Sequence, residues 1–301
     1  MSMIFEPLDY PHVAPTLLRA EYFYPRQDAE VLRRAMKGIG TDEKAIITIL
    51  VERTNKQRLE IGEEFKKSYD KDLLKNLKSE LSGDFRDLVT ASMTPIPELL
   101  AKDLHSALNS VPPNLETTVE ILCLLCNSWM HDLSATYAKI FETSLESSIR
   151  GCALPGSIPR VLATMSRGIR DEEIKVDEDA AIADAQALVA AVHALRNGCT
   201  FLASRLYSAM AGLGTNERAL NRLILVRAEL DLEDIKQAFV IQYKKSLAAF
   251  VEGRNGEWKL RRHYCWMCLI FCRIWTCPLT CSRLQGDTSG DYKRMLLAII
   301  K

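Results

Sequence analysis

The sequence predicts an all-α protein built from tandem repeats of five short helices. Apolar residues recur with a period near 3.6 along most of the chain, and no alternating strand pattern appears. The stretch Ala35-Met36-Lys37-Gly38-Ile39-Gly40-Thr41-Asp42-Glu43 returns 174 residues later as Ala209-Met210-Ala211-Gly212-Leu213-Gly214-Thr215-Asn216-Glu217. The apolar positions Ile61, Phe65, Tyr69 and Leu73 return at the same offset as Ile235, Phe239, Tyr243 and Leu247. A glycine turn that repeats inside a repeated apolar pattern is a repeated structural unit.

Composition sets the outer bounds. The chain has 301 residues, is 48% hydrophobic and contains few glycines and prolines, which fits a folded globular protein with a large core. Net charge is zero, so the basic balance that nucleic acid requires is missing, and anionic membranes need another source of positive charge. A bound metal ion supplies one. The N-terminus lacks the basic and apolar pattern of a secretory signal, and nine cysteines without such a signal suit reduced thiols in the cytoplasm. No segment approaches the roughly 20 apolar residues of a membrane span.

Residues 1–27 form a Pro- and Tyr-containing tail, which packs on the core or faces a protein partner. The first repeat, 28–99, begins with a helix capped by Asp28, followed by the glycine loop and a second helix started by Asp42. Its third helix carries Ile61, Phe65 and Tyr69, its fourth Leu73, Leu77 and Leu81, and its fifth Phe85, Leu88 and Val89. The second repeat, 100–176, fits at an offset of 72, with Ile121, Asn127, Tyr137, Phe141 and Leu145 in the places of Ile49, Asn55, Phe65, Tyr69 and Leu73. Its loop is degenerate: Gly38, Gly40 and Thr41 become Ser110, Pro112 and Pro113, and Glu80 becomes Cys152. Proline cannot adopt positive φ, so that turn must differ.

Residues 177–199 are what remains of a third repeat. The fourth, 200–301, keeps the offset of 174 to Val251, after which Phe85 finds its counterpart in Tyr292 at an offset of 207. The 33 additional residues form an insertion at about 253–286, rich in Cys and Trp.

Two glycines one residue apart suit a tight turn with φ > 0, which can aim several carbonyls at one point. Calcium takes about 6–8 oxygen ligands, so carbonyls of Met36, Gly38 and Gly40 with one bidentate carboxylate leave positions open for water or a lipid phosphoryl oxygen. Spacing alone does not choose the carboxylate among Glu43, Glu60, Glu63 and Glu80. The repeated loop within five-helix units resembles the annexin family, over most of the chain. That resemblance implies a superhelical arrangement of the repeats. It also implies that Glu80, 42 positions after Gly38, closes the calcium site and that Thr41 and Glu43 form a minor one. In the last repeat it implies Met210, Gly212 and Gly214. The closing position there falls on Arg254, but Gly286-Asp287-Thr288-Ser289-Gly290-Asp291-Tyr292 resembles the family's closing motif. If the insertion loops out, Asp287 completes that site; if it disrupts the fourth helix, the site is lost.

The resemblance implies calcium-dependent, peripheral binding to anionic phospholipid membranes, phosphatidylserine among them, from the cytoplasm. The alternative is a calcium-independent protein-interaction scaffold. No nucleophile, base and orienting acid group together, so no enzyme is expected. Cys265-Trp266-Met267-Cys268 has zinc-like spacing, but Cys272, Cys277 and Cys281 do not complete a second pair. Cys123 and Cys126 lie on an apolar helix and read as core.

Overall fold

A computed structural model describes residues 14–38, 40–154, 158–169, 197–211, 215–252 and 288–301. These are helical, with no strand among them. In order, the helices are α1 (Pro25–Ala35), α2 (Glu43–Val51), α3 (Asn55–Tyr69), α4 (Leu73–Glu80), α5 (Gly83–Ser92), α6 (Ile96–Leu108), α7 (Leu115–Leu124), α8 (Asn127–Phe141), α9 (Leu145–Arg150), α10 (Ile158–Met165), α11 (Gly198–Ala211), α12 (Glu217–Ala228), α13 (Leu232–Tyr243) and α14 (Thr288–Ile300). The insertion at about 253–286, and most of the third-repeat remnant, lie outside the described residues.

The chain divides into two compact units, Thr94–Leu206 and Pro15–Met93 with Tyr207–Lys301. In the second of these, α14 packs on α5 and α2, and α12 packs on α5 and α14. These four helices bury Ile46, Leu50, Leu88, Val89, Leu223, Ile224, Met295 and Ile299. Burying such side chains stabilises by about 1.5–3 kcal/mol each before chain entropy is charged. Tyr292 is buried with its hydroxyl donating to Asn221 Oδ1 at 2.8 Å.

A polar knot ties the ends of α2, α3 and α5. The Arg58 side chain is buried and donates to the Leu50 and Ser92 carbonyls at 2.8 and 3.2 Å. Burial lowers its pKa to about 10, partly offset by the Glu229 carboxylate. Glu229 in turn accepts from the Asn55 backbone N–H at 2.5 Å. Above the knot runs a strap, residues 14–24. Thr16 and Leu17 N–H donate to the Ala228 carbonyl at 2.9 Å, and Gln57 bonds both N–H and C=O of Ala20 at 3.1 Å. This part of the tail therefore packs on the core, while Leu18, Tyr22 and Tyr24 stay exposed.

Asp28 is not a cap. Pro25, whose fixed φ suits a first helical position, starts α1 three residues earlier. Asp28 is instead buried and takes both Arg53 Nε and Nη2 at 2.7 and 3.2 Å.

In the other unit, α6 packs on α7 and α8, and α10 on α7 and α9. Arg205 on α11 pairs with Glu116 and Glu120 of α7. Cys123 is buried as expected, but Cys126 is half-exposed at the start of α8, its Sγ 3.3 Å from Ser128 Oγ.

The repeats share geometry where they share no chemistry. The third helix of each complete repeat ends on a non-glycine residue at φ near +55°: Asp70 at 52°, Glu142 at 55° and Lys244 at 57°. The last turn of each first helix lies over an aromatic ring of the third. Arg33 sits 4.1 Å above Tyr69, His105 stacks on Phe141 at 3.7 Å, and Tyr207 stacks on Tyr243 at 4.1 Å.

Candidate metal centre

Two backbone features build the first loop. The Asp42 N–H returns to the Ala35 carbonyl at 2.9 Å, closing the chain between α1 and α2. The Asp42 carboxylate then accepts from the Ala45 N–H at 3.0 Å, satisfying one of the open donors of α2. Between these bonds the chain reverses through Gly38 at φ +125° and Gly40 at φ +90°. A Cβ at either glycine would meet nothing within 4 Å. The glycines are required by backbone rotation and not by crowding, and the loop faces open space.

The structure brings Glu80 to this loop. It is the last residue of α4 and exposed, and its Oε2 accepts from Thr41 Oγ1 at 3.3 Å. Met36 is the C-cap of α1, and Glu43 opens α2. A hard cation needs such an oxygen set: backbone carbonyls with one carboxylate. Among the described residues no three His, Cys, Asp or Glu side chains cluster, so a metal centre there has to draw on main-chain oxygen.

The second loop is closed by the same main-chain bond as the first, but its turn differs, as the prolines predict. Asn114 N–H donates to the Ala107 carbonyl at 2.9 Å, and Asn114 Oδ1 accepts from Thr117 N–H at 3.0 Å. The difference lies inside, where the Val111–Pro112 peptide is cis and the Ser110 hydroxyl donates to the Pro112 carbonyl at 3.0 Å. The Cys152 thiol, at the register of Glu80, donates to the Leu108 carbonyl at 3.3 Å. Leu108 is at the register of Met36, so a hydrogen bond occupies the oxygen that a metal would need. Burial pushes the Cys152 thiol up, which keeps it a donor at neutral pH.

In the last repeat the same closure recurs, from Asn216 N–H to the Ala209 carbonyl at 2.8 Å, and Asn216 Oδ1 caps Ala219 N–H. Met210 is buried on α11, whereas Gly212, Gly214 and Asp287 lie outside the described residues. Thr215 Oγ1, the counterpart of Thr41 Oγ1, is buried with no partner among the described residues.

Sequence reasoning overlooked the cationic side chains beside the first loop. An open pocket of about 570 Å³ there is lined by Arg34, Lys37 and Lys44 on one side and by Asp291 and Arg294 of α14 on the other. Nothing in the linear sequence joins Arg294 to the loop.

The annexin family profile matches residues 27–91 and 201–254. Human annexin A3 is 32% identical over 335 aligned positions, which span 92% of this chain and 93% of that protein. This chain belongs to the annexin family. Annexin B10 of Drosophila melanogaster is 30% identical, with 95% of this chain and 97% of that one covered. Human annexin A7 is 31% identical over 95% of this chain, which spans 63% of the length of annexin A7. Among solved structures, annexin III superposes with a TM-score of 0.76 at 29% identity, covering 95% of this annexin and 96% of that chain. Calcium-bound annexin (Sm)1 superposes with a TM-score of 0.74 at 26% identity, covering 96% and 93%. The all-α repeat fold expected from helical periodicity is the fold of these annexins.

Proposed function

We propose that this annexin binds anionic phospholipid membranes, phosphatidylserine included, in a calcium-dependent manner. The carbonyls of Met36, Gly38 and Gly40 and the Glu80 carboxylate hold the ion. Its remaining coordination positions accept lipid phosphoryl oxygen. Thr41 and Glu43 serve a minor site, and Met210, Gly212, Gly214 and Asp287 a second loop in the last repeat. One protein carboxylate gives low intrinsic affinity, so lipid and calcium strengthen each other's binding. The protein is then cytoplasmic and reaches membranes peripherally when calcium rises. Among the described residues no helix is long and apolar enough to cross one.

The observation that carries this reading is the 3.3 Å contact between Thr41 Oγ1 and Glu80 Oε2, which joins an acid to a glycine turn 39 residues away. The calcium-bound relative supports the choice of ion. The test is sedimentation with phosphatidylserine vesicles, with calcium and with chelator, for wild type and Glu80→Gln. Calcium-dependent pelleting should weaken by about tenfold or more in the variant, because a neutral amide cannot replace a bidentate carboxylate. Pelleting that survives unchanged moves the site to the last repeat.

A second reading has its own observation. Leu18, Tyr22 and Tyr24 are 71%, 77% and 58% exposed on the strap, an apolar row suited to a protein partner without calcium. Capture of the same partner with and without chelator would favour that scaffold role.

A further inference from the structure

We propose that the N-terminal strap is a proton-controlled latch, docked while Glu229 is protonated and loosened when Glu229 ionises. The strap is fastened at two places, and each adjoins one member of the Glu229–Arg58 pair. Thr16 and Leu17 N–H both donate to the Ala228 carbonyl at 2.9 Å, and that carbonyl belongs to the peptide group joining Ala228 to Glu229. Further along, Gln57 takes the Ala20 N–H on Oε1 and donates Nε2 to the Ala20 carbonyl, both at 3.1 Å. Gln57 immediately precedes Arg58. Glu229 itself reaches the Asn55 N–H, in the first turn of the same helix, at 2.5 Å. Leu17 is the buried side chain of the strap. All of these contacts, from Thr16 onward, lie within one compact unit.

A strap laid over an ionisable pair is coupled to its protonation. Burial raises the Glu229 carboxyl above its ordinary range, against the Asn55 bond and the Arg58 charge. Loosening the strap admits water to the carboxylate and brings it back toward that range. The docked form therefore binds the proton more tightly than the loosened form. Docking is then strongest below the ordinary carboxylate pKa and weakens as pH rises through the raised one. The coupling is reciprocal: whatever loosens the strap also makes Glu229 easier to ionise.

The surrounding charges leave this step to Glu229. Arg58 faces it from α3, which also carries exposed Lys56. On its own segment Arg227 donates Nε to Asp231 at 2.6 Å, and α13 opens with Glu233, paired with Lys236, and Asp234. The strap brings Arg19 and Glu21, both exposed. Arginines and lysines keep their charge between about pH 5 and pH 7, and solvent-facing carboxylates have already lost their proton there. Leu18, Tyr22 and Tyr24 ride on the strap, so the proton on Glu229 also sets how firmly that exposed row is held.

Hydrogen exchange at the Thr16 and Leu17 amides reads docking, because both donate to Ala228. It is measured on the full chain at about pH 5, 6 and 7, corrected for the intrinsic exchange rate, for wild type and Glu229→Gln. Wild-type protection should fall with pH, by up to about tenfold for each unit by which loosening lowers the Glu229 pKa, and stay level in the variant. It should also lie below the protection of Ile61 and Phe65, buried in α3, which reports global opening. Protection that ignores pH, that falls equally in the variant, or that matches the α3 amides overturns the proposal. Leu17→Ala supplies the reciprocal test, since it loosens the strap and leaves the pair in place. It should flatten the pH dependence of the denaturant midpoint over the same range. An unchanged profile overturns the latch even if Glu229→Gln fails to fold.

Discussion

Gly38 and Gly40 show what one dihedral angle decides. Their φ values of +125° and +90° exclude ordinary side chains, although space for a Cβ is available at both. Gly40→Ala should therefore cost about 1 kcal/mol or more in stability through backbone strain alone. Calcium affinity should fall further, because relaxing the strain turns a carbonyl away. Thermal melting and a calcium titration on the same variant would separate the two losses; a large drop in melting temperature with unchanged affinity would contradict it. Cys152 makes the reciprocal point. Its thiol, at the register of Glu80, donates to the Leu108 carbonyl and so engages a loop oxygen in a hydrogen bond.

At the scale of elements, the join between α12 and α3 is governed by Glu229. Its carboxylate faces the Asn55 N–H and the buried Arg58. Burial raises its pKa above the ordinary carboxylate range, and the Asn55 bond and Arg58 only partly oppose this. A raised folded-state pKa means that the native protein binds the proton more tightly than the unfolded chain. This contribution to stability is present in acid and is lost as pH rises through the folded pKa. Glu229→Gln should remove that dependence, as its amide oxygen still accepts from Asn55. Denaturant midpoints of both proteins between about pH 5 and pH 7 would check it, and parallel pH profiles would refute it. The same join illustrates what the sequence conceals. The helices and the Asp42 start of α2 were legible because the glycine loop and the apolar positions around it repeat at fixed offsets. The Arg58 knot was not, since Met130 and Leu232 stand at its register elsewhere. Nor were the stacked pairs, because Arg33, His105 and Tyr207 share no residue class, or the left-handed helix ends, which use Asp, Glu and Lys where glycine is the local signal. Glu80 itself came from family resemblance, as four glutamates satisfied the chemistry.

Across the whole molecule, calcium loops act together when several engage one membrane, and their affinities multiply. We propose that the first repeat keeps the full motif, that the second has lost it, that the third is a remnant and that the fourth carries an insertion before its closing acid. Half-maximal pelleting of phosphatidylserine vesicles should therefore require several-fold more calcium than for an annexin with the loop in all four repeats. A matched calcium titration of the two proteins decides it, and equal midpoints would show that one loop suffices. The main-chain bond that shuts each loop, onto Ala35, Ala107 or Ala209, is indifferent to what the loop does. It is made by peptide groups that substitution of the neighbouring side chains leaves in place. A duplicated segment of this kind can fall silent in its ion chemistry while its scaffold goes on being inherited, so selection is free to retire one copy and keep another at work within a single chain.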